Sequence, residues 1–326
     1  MSGKVFASIA RAGMIAGLVA LPLLCEAQES GCGAEGLTTG VYTLPHGDLM
    51  RTFRLYVPPG YRKNVASRMV VMFHGWGGNE DEFLTDSAVI SEAGARGYIL
   101  VAPRGLGSGL PDKSKNSWTF RGSATGLDGD GVNPKVPGDT PAICDAAITP
   151  EYLYPSCQAG TARNSCSWTQ CRDDDVDFTL ALVRHIETRL CIDTAHVYAT
   201  GGSNGGMFVW ELGQNPLSAP TFRAIASVIG LPHRAYLGRP GKQERMPAIL
   251  ITGATAITRS WAAAARCGTA GKEVAFRRAD SPADCRTYCP ATESRWPAVL
   301  DCRAKMHHDY GLPWSWKLIL DFFDHS

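Results

Sequence analysis

The sequence has almost no net charge, and this absence narrows the range of partners. Lys and Arg number 32 and Asp and Glu number 31, a formal charge of +1 over 326 residues. Binders of nucleic acid or of anionic membranes usually carry a clear positive excess. We therefore expect neither as a partner. The Asn-x-Ser/Thr sequon is also absent, so the sequence offers no N-glycosylation site.

A long apolar run is missing too, even near the N-terminus. The run at residues 14–24 is well short of the roughly 20 residues that a membrane-spanning helix needs. Lys4 and Arg11 precede it, and a short segment ending in Ala27 follows. This order is typical of a secretory signal peptide. We predict a signal at residues 1–27 and a secreted chain, with a membrane anchor as the alternative.

The cysteines favour disulfides over a metal site. The chain has 11, and Cys25 lies in the predicted signal, which leaves an even set behind an export signal. The spacings from Cys166 to Cys171 and from Cys285 to Cys289 fit zinc ligation poorly, and zinc is the alternative. An acidic loop at residues 128–133 offers oxygen ligands, but not in the EF-hand order. We predict no metal and no cofactor.

Short apolar runs alternate with helix-like segments along the chain. Continuous apolar strands in such an alternation are typical of a parallel sheet covered by helices on both faces. We predict an α/β fold with a mostly parallel sheet. The predicted strands are residues 40–44, 52–57, 68–73, 97–103, 196–200, 222–230, 247–252 and 298–302, and the predicted helices are residues 81–96, 176–190 and 315–325.

Residues 105–173 interrupt the alternation. This stretch is rich in Gly, Pro and Ser and holds four cysteines. It is too long for a plain connection between two elements. We interpret it as a disulfide-pinned insertion loop or cap within a single domain at residues 28–326, since no internal repeat and no second domain is evident.

Ser203 lies in a GxSxG motif between a predicted strand and a helix-like segment. A nucleophile elbow requires that placement. The sharp turn raises the serine oxygen above the sheet, and the positive end of the next helix favours developing negative charge. We predict that Ser203 is a catalytic nucleophile. A glycine-rich turn with an idle serine is the alternative.

The sequence HGWGGN, residues 74–79, ends an earlier predicted strand with little side chain to cover its backbone. Such a loop can direct an amide N–H toward an oxyanion. We predict an oxyanion hole formed by the backbone N–H of Trp76 and that of Asn204, the residue after the nucleophile. A tight turn that favours glycine is the simpler explanation, and both can hold.

A general base is expected last in chain order, after the final strand. The sequence KMHHDYG supplies His307 and His308 at that place. We predict that His308 is the base. An exposed loop histidine is the alternative. His233 follows a central strand and is a weaker candidate, because it comes too early for the usual order.

These stretches together resemble the secreted polyhydroxybutyrate depolymerase and feruloyl esterase-like group of α/β-hydrolases. The resemblance covers roughly the whole mature chain and is carried by LYVPPGY, MFHGWGGN, SCSWTQCRDDDVDFTLAL, DTAHVYATGGSNGGMFVWEL, FRAIASVIGLPH and HHDY…LILDFF. It implies the α/β-hydrolase fold and a serine esterase that acts on polyesters or on cinnamoyl and acetyl esters of plant cell-wall polysaccharides. It also implies that Ser203 attacks the ester and that His308 is general base and acid.

The sequence departs from that group where the triad carboxylate is expected. The group's strand usually ends in HGxxD, whose Asp orients the histidine, whereas residues 252–256 read TGATA and Ala256 replaces the Asp. His307 likewise replaces the glycine that usually precedes the histidine. Substitute carboxylates are Asp280, Asp284, Asp301 and Glu273. The alternative function is a catalytically weakened homologue that binds polymer or glycan.

Four tryptophans offer flat surfaces for an aromatic or sugar substrate. Trp76 and Trp118 lie near the predicted catalytic segments in sequence. For Trp314 and Trp316, which lie in or beside the closing amphipathic helix, packing in the core is favoured.

Overall fold

The computed structural model describes residues 31–107, 116–118, 174–230, 246–253, 272–273, 281–287 and 299–326, with only the backbone at 272–273. Several predicted features lie outside these residues. They are the signal at 1–27, most of the insertion at 105–173, the acidic loop at 128–133, His233, Ala256, Asp280 and the side chain of Glu273. Within the described ranges, no helix is long and apolar enough to cross a bilayer.

The described strands form one mixed sheet of ten strands. They are β1 (Gly40–His46), β2 (Leu49–Tyr56), β3 (Ser67–Phe73), β4 (Ile99–Pro103), β5 (Ile192–Gly202), β6 (Ala224–Val228), β7 (Ala248–Thr252), β8 (Lys272–Glu273), β9 (Asp284–Thr287) and β10 (Val299–Arg303). Their order across the sheet is β1-β2-β4-β3-β5-β6-β7-β10-β9-β8. The six central strands, from β4 to β10, are parallel, and the strands at both edges are antiparallel.

Helices cover both faces of this sheet. They are α1 (Asp81–Leu84), α2 (Ser87–Arg96), α3 (Asp175–Glu187), α4 (Asn204–Leu212) and α5 (Pro313–Asp324), and a 3₁₀ turn covers Ala219–Thr221. Helices α3 and α4 pack on one face, whereas α1, α2 and α5 pack on the other. Coverage of both faces explains the continuous apolar runs. In β3, for example, Val71 packs against the helices on the first face and Val70 against those on the second. The predicted parallel sheet with helices on both faces is confirmed.

The strands predicted at residues 40–44 and 52–57 form a hairpin, here called the entry hairpin, and both are longer than the sequence indicated. Strands β1 and β2 pair antiparallel along their whole length, from Gly40 opposite Leu55 to His46 opposite Leu49. Gly47 has a φ of 56° in the two-residue turn, a left-handed conformation that glycine adopts without strain.

The single helix predicted for residues 81–96 is two helices. The Asp86 side chain accepts a hydrogen bond of 2.8 Å from the backbone N–H of Ala88 and so caps a new helix, α2. Gly97, with a φ of 74°, ends α2 in the left-handed conformation typical of helix C-termini. The prediction was wrong here because apolar periodicity alone does not register a cap in mid-segment.

Two disulfides brace the described part of the fold. Cys32 pairs with Cys191 and ties the N-terminal segment to the start of β5. Cys285 pairs with Cys302 and joins β9 to β10. The prediction of disulfides is confirmed for these four residues, and the remaining predicted partners, Cys144, Cys157, Cys166, Cys171, Cys267 and Cys289, lie outside the described residues.

A buried ion pair anchors α3 beneath the entry hairpin. The Asp174 side chain caps the helix by accepting from the N–H of Val176, which leaves the next residue, Asp175, free to turn inward. Arg51 of β2 donates to Asp175 across 2.7 Å, and neither side chain is exposed. The Arg51 guanidinium also lies 3.8 Å from the centre of the Phe178 ring.

Candidate active site

Ser203 occupies a strained turn between β5 and α4. Its φ of 50° and ψ of −114° lie outside the conformations that residues other than glycine ordinarily adopt. The turn is fixed on both sides, because the Ser203 N–H donates to the carbonyl of Val228 in β6 and its carbonyl accepts from Met207 in α4. The sheet therefore presents this serine at the carboxyl ends of its parallel strands, with 7% of its surface exposed.

The glycines of the motif allow α4 to approach the sheet closely. A Cβ on Gly205 would overlap the carbonyl oxygens of Phe73 and His74, where β3 ends. A Cβ on Gly206 would lie 2.8 Å from the Ser227 hydroxyl and 3.0 Å from the Cα of Gly230. The beginning of α4 is consequently wedged between the ends of β3 and β6, and this contact sets the height of Ser203.

His308 reaches Ser203 from the loop after β10, a strand three positions away from β5 in the sheet. Its Nε2 lies 2.9 Å from the Ser203 Oγ, within hydrogen-bond distance. His308 is exposed on the loop between β10 and α5. Of the two adjacent histidines, His308 is thus the one that contacts the serine, and the predicted nucleophile and base are brought together.

The loop that carries His308 crosses several strand ends. It first passes the end of β7, where a Cβ on Gly253 would lie 3.3 Å from the carbonyl oxygen of Ala304 and 3.1 Å from that of Met306. It then reaches the turn at Ser203, where the ring of Tyr310 lies directly against Gly202. The loop therefore spans the edge at which α/β sheets commonly hold their ligands.

No carboxylate among the described residues hydrogen-bonds the second ring nitrogen of His308. Asp301 is buried in β10, and its Oδ2 accepts from the Nη2 of Arg303 at 3.0 Å rather than from the histidine. The other oxygen of Asp301, Oδ1, is buried without a hydrogen-bond partner. Asp284 is exposed on β9, opposite Arg303. The described part of the site is therefore a Ser-His pair.

The loop after β3 is held by a buried, neutral histidine. His74 Nδ1 donates to the carbonyl of Gly75 at 2.7 Å, and Nε2 accepts from the N–H of Gly105 at 2.9 Å. Because one nitrogen donates and the other accepts, the ring carries a single proton, on Nδ1. Burial lowers the pKa of His74 to about 4, which keeps the ring neutral at physiological pH.

Trp76 lies at the tip of a tight turn formed by this loop. The Gly78 N–H donates to the carbonyl of Gly75 at 3.0 Å, and Gly77 has a φ of 82°. These are the features of a type II turn with Trp76 as its first central residue. The Trp76 side chain is half-buried. The turn fixes the backbone at the residue predicted to contribute an oxyanion N–H.

Asn204, the second predicted oxyanion residue, opens α4 beside the nucleophile. Its side-chain oxygen accepts from the N–H of Trp118 at 3.0 Å, and the Trp118 indole donates to the carbonyl of His74 at 2.9 Å. Trp118 thus links the loop after β3, at His74, to the beginning of α4. It is fully buried and stacked on Phe208, so the interpretation of Trp118 as a surface for substrate is wrong. Trp316 is also buried, as favoured from its helix.

Glu82 of α1 joins the site although the sequence pattern did not single it out. Its Oε1 accepts from the N–H of Gly75 at 3.1 Å, and its carboxylate interacts with the nearby Tyr310 hydroxyl. Burial raises the pKa of the Glu82 carboxyl, and the interactions with Gly75 and Tyr310 act in the opposite direction. The only sequence feature that indicated one of the two partners was Tyr310, the aromatic residue of the HHDY stretch.

The chain matches no known protein-family model. It is similar to the solved structure of an acetyl xylan esterase from Aspergillus awamori, at 13% identity and a TM-score of 0.49, over 88% of this chain and 100% of that one. It is also similar to an S-formylglutathione hydrolase from Agrobacterium tumefaciens, at 12% identity and a TM-score of 0.47, over 90% and 96%. A thermostable esterase is similar at 13% identity and a TM-score of 0.39, over 66% of this chain and 46% of the esterase.

The fold follows from the strand order and from the elbow. The sheet begins with an antiparallel hairpin, reverses its strand order at β4 and β3, and continues parallel through β10. The serine turn follows β5 and the histidine loop follows β10. This arrangement is that of the α/β-hydrolases. The described chain therefore has the α/β-hydrolase fold, as its sequence predicts.

Proposed function

We propose that the protein is a serine carboxylesterase that works through an acyl-enzyme. The observation that carries the proposal is the 2.9 Å contact between the Ser203 Oγ and the His308 Nε2. The strained backbone of Ser203 supports it, because such strain concentrates at functional turns. A structural serine would need neither the strain nor the histidine.

The proposed reaction uses this contact for proton transfer. His308 Nε2 accepts the proton of the Ser203 hydroxyl as the oxygen attacks the ester carbonyl carbon. The N–H groups of Trp76 and Asn204 stabilise the oxyanion that forms. Collapse of the intermediate breaks the bond to the alcohol, which takes the proton from His308. Water then attacks the acyl-enzyme and gives a proton to His308, and collapse of this second intermediate breaks the bond to the Ser203 Oγ. Ser203 regains its proton from His308, the carboxylic acid leaves, and no cofactor is required.

The absence of a carboxylate partner for His308 among the described residues affects the expected rate. Loss of the orienting carboxylate costs a complete triad about 10⁴-fold, whereas the oxyanion hole and binding alone retain roughly 10³ to 10⁴ over water. The proposed enzyme is therefore slow, unless Asp280 or Glu273 substitutes.

The substrate class rests on the sequence resemblance and on the exposure of the site. We assign esters of polyhydroxyalkanoates or of feruloylated and acetylated plant polysaccharides. His308 is exposed and Trp76 half-buried, so within the described part of the chain a bulky ester can approach from the histidine side, whereas Ser203 itself is 7% exposed. Hydrolysis rates on ethyl ferulate, on an acetylated xylan oligomer and on a hydroxybutyrate oligomer separate the three classes.

We also propose that the protein is secreted after removal of residues 1–27. The two disulfides support this proposal, since disulfides persist in oxidising compartments. Mass determination of the exported chain tests it. A mature N-terminus at Gln28 is expected, and a chain that stays inside the cell with its first residue intact contradicts it.

A second candidate function is binding of polymer or glycan without turnover. The observation that favours it is that no described carboxylate contacts His308. Labelling with a fluorophosphonate, which requires an activated serine, separates the two functions. Covalent label on Ser203 supports the esterase, whereas folded protein that binds a polymer and takes up no label supports the binding function.

A further inference from the structure

Glu82 and Tyr310 connect the two loops that flank Ser203. Residues 74–79, which include Trp76, are called the oxyanion loop below. Glu82 follows this loop in sequence and accepts a 3.1 Å hydrogen bond from the N–H of Gly75, the residue before Trp76. Tyr310 lies two residues after His308, and its hydroxyl interacts with the Glu82 carboxylate. One carboxylate therefore binds the backbone of one loop and a side chain of the other.

Tyr310 also touches the turn at Ser203. Its ring lies against Gly202 and its hydroxyl against Gly75, so closely that a Cβ on either glycine would overlap it. The ring meets the His308 imidazole edge to face at 5.9 Å, with an angle of 88° between the ring planes. A single tyrosine thus contacts the serine turn, the oxyanion loop and the catalytic imidazole.

The environment strengthens these contacts. Both groups are partly buried, and burial raises the pKa of each. Hydrogen bonds to a carboxylate that is partly removed from water are stronger than those between neutral groups. The centre of the Phe83 ring lies 6.2 Å from that of the Tyr310 ring, edge to face. Tyr310 is therefore packed between Phe83 and the two glycines, whereas His308 itself is exposed.

We propose that Glu82 and Tyr310 form a positioning pair that holds His308 and the Trp76 amide in register with Ser203. The inference rests on the esterase function proposed above. In a complete triad a carboxylate bonded to the histidine fixes the imidazole. Here the Glu82 carboxylate holds the loop that carries His308 indirectly, through Tyr310. It also holds the oxyanion loop, through the N–H of Gly75. Neither Glu82 nor Tyr310 takes part in proton transfer.

The test compares kcat and KM for p-nitrophenyl acetate in variants of the full chain. Tyr310→Phe removes only the hydroxyl, and Glu82→Ala removes the carboxylate that interacts with Gly75 and Tyr310. Each variant is expected to lower kcat about 10-fold to 100-fold with little change in KM, because a displacement near 1 Å costs that much. Glu82→Gln is expected to recover most of the loss, since its amide oxygen still accepts from Gly75. The double variant should be no slower than Glu82→Ala alone.

Tyr98→Phe is the matched control. The Tyr98 hydroxyl also donates to a carboxylate, that of Asp324 at 2.8 Å, but at the opposite end of β4 from the site. Its kcat should equal that of the wild type. Wild-type kcat in folded Tyr310→Phe and Glu82→Ala would overturn the positioning pair, and so would an equal loss of kcat in Tyr98→Phe.

A readout independent of turnover separates this inference from the proposed function. Tyr310→Phe is expected to speed amide hydrogen exchange in residues 74–80, a segment to which Tyr310 does not belong. An unchanged exchange rate there overturns the pair even if the wild type hydrolyses esters. A wild type that neither hydrolyses esters nor takes up a fluorophosphonate overturns the proposed function, and exchange alone then decides whether the pair links the loops.

Discussion

The Oγ of Ser203 and the Nε2 of His308 lie 2.9 Å apart, although 105 residues separate them in the chain. The parallel sheet brings them together, because β5 and β10 end at the same edge. Three strand ends lie under the loop that spans the remaining gap, at Gly253, Gly202 and Gly75. The position of the histidine therefore depends on loop packing as much as on the strands.

The loss of rate in His308→Gln measures whether a third residue completes the site. In a complete triad, removal of the histidine costs about 10⁶ in kcat, whereas removal of the acid alone costs about 10⁴. In a site without an acid, the histidine therefore raises kcat by only about 10². We predict a loss near 10² in His308→Gln, measured as kcat on p-nitrophenyl acetate.

Carboxylate variants provide the complementary control. Asp280→Asn, Glu273→Gln and Asp284→Asn should each leave kcat unchanged in a site that lacks an acid. A loss near 10⁶ in His308→Gln, together with a loss near 10⁴ in one carboxylate variant, would show instead that a substitute acid completes a triad.

Gly205→Ala is predicted to damage both stability and activity. The added Cβ would overlap the carbonyl oxygens of Phe73 and His74, and neither backbone group can move without displacing β3. Overpacking of this kind costs about 1 to 3 kcal/mol. Urea unfolding measures the free energy of unfolding of the variant. Gly60→Ala is the control, because its Cβ would meet no atom within 4 Å, and a similar cost in both variants would contradict the close approach of α4.

His74 is predicted to make stability depend on pH. Burial lowers its pKa from 6.5 to about 4, so between these values the unfolded chain binds a proton that the folded protein does not. The free energy of unfolding contributed by His74 is therefore complete above pH 6.5 and falls as the pH drops toward 4. The loss between pH 7 and pH 5 is about 2 kcal/mol. Urea unfolding at both pH values in the wild type and in His74→Gln checks this, and an equal pH dependence in the two proteins would contradict it.

The buried pair of Arg51 and Asp175 is predicted to be costly to break. Arg51→Met leaves the Asp175 charge buried without its partner, which costs about 3 to 5 kcal/mol. The double variant Arg51→Met with Asp175→Leu should recover much of that loss. The control is Arg54→Met, which breaks the 2.6 Å pair with Asp81, whose side chain is 44% exposed, and should cost under about 1 kcal/mol. Equal losses in Arg51→Met and Arg54→Met, by thermal unfolding, would contradict this ranking.

The sequence predicted the parts of the molecule that have local patterns. The runs at residues 69–73 of β3 and 248–251 of β7 are apolar because both faces of these strands are covered. Ser203 was identifiable because glycines surround it between a strand and a helix. Strand β9 was missed, since four residues with alternating exposure leave no distinct pattern.

The contact between Glu82 and Tyr310 could not be predicted for a different reason. The two residues lie far apart in the chain, and neither belongs to a motif with a known partner. Their meeting depends on the crossing of the His308 loop over β7 and β5, which is set by tertiary packing. The disulfide of Cys285 and Cys302 was likewise open, because an even set of cysteines allows many pairings.

Fluorophosphonate labelling shows whether Ser203 is a nucleophile activated by His308. The folded wild-type protein is incubated with the probe, and the labelled residue is mapped by mass spectrometry. One label is expected, on Ser203, and it should form faster in the wild type than in His308→Gln. Folded wild-type protein that carries no label on Ser203, or that labels at the same rate without His308, would contradict this activation.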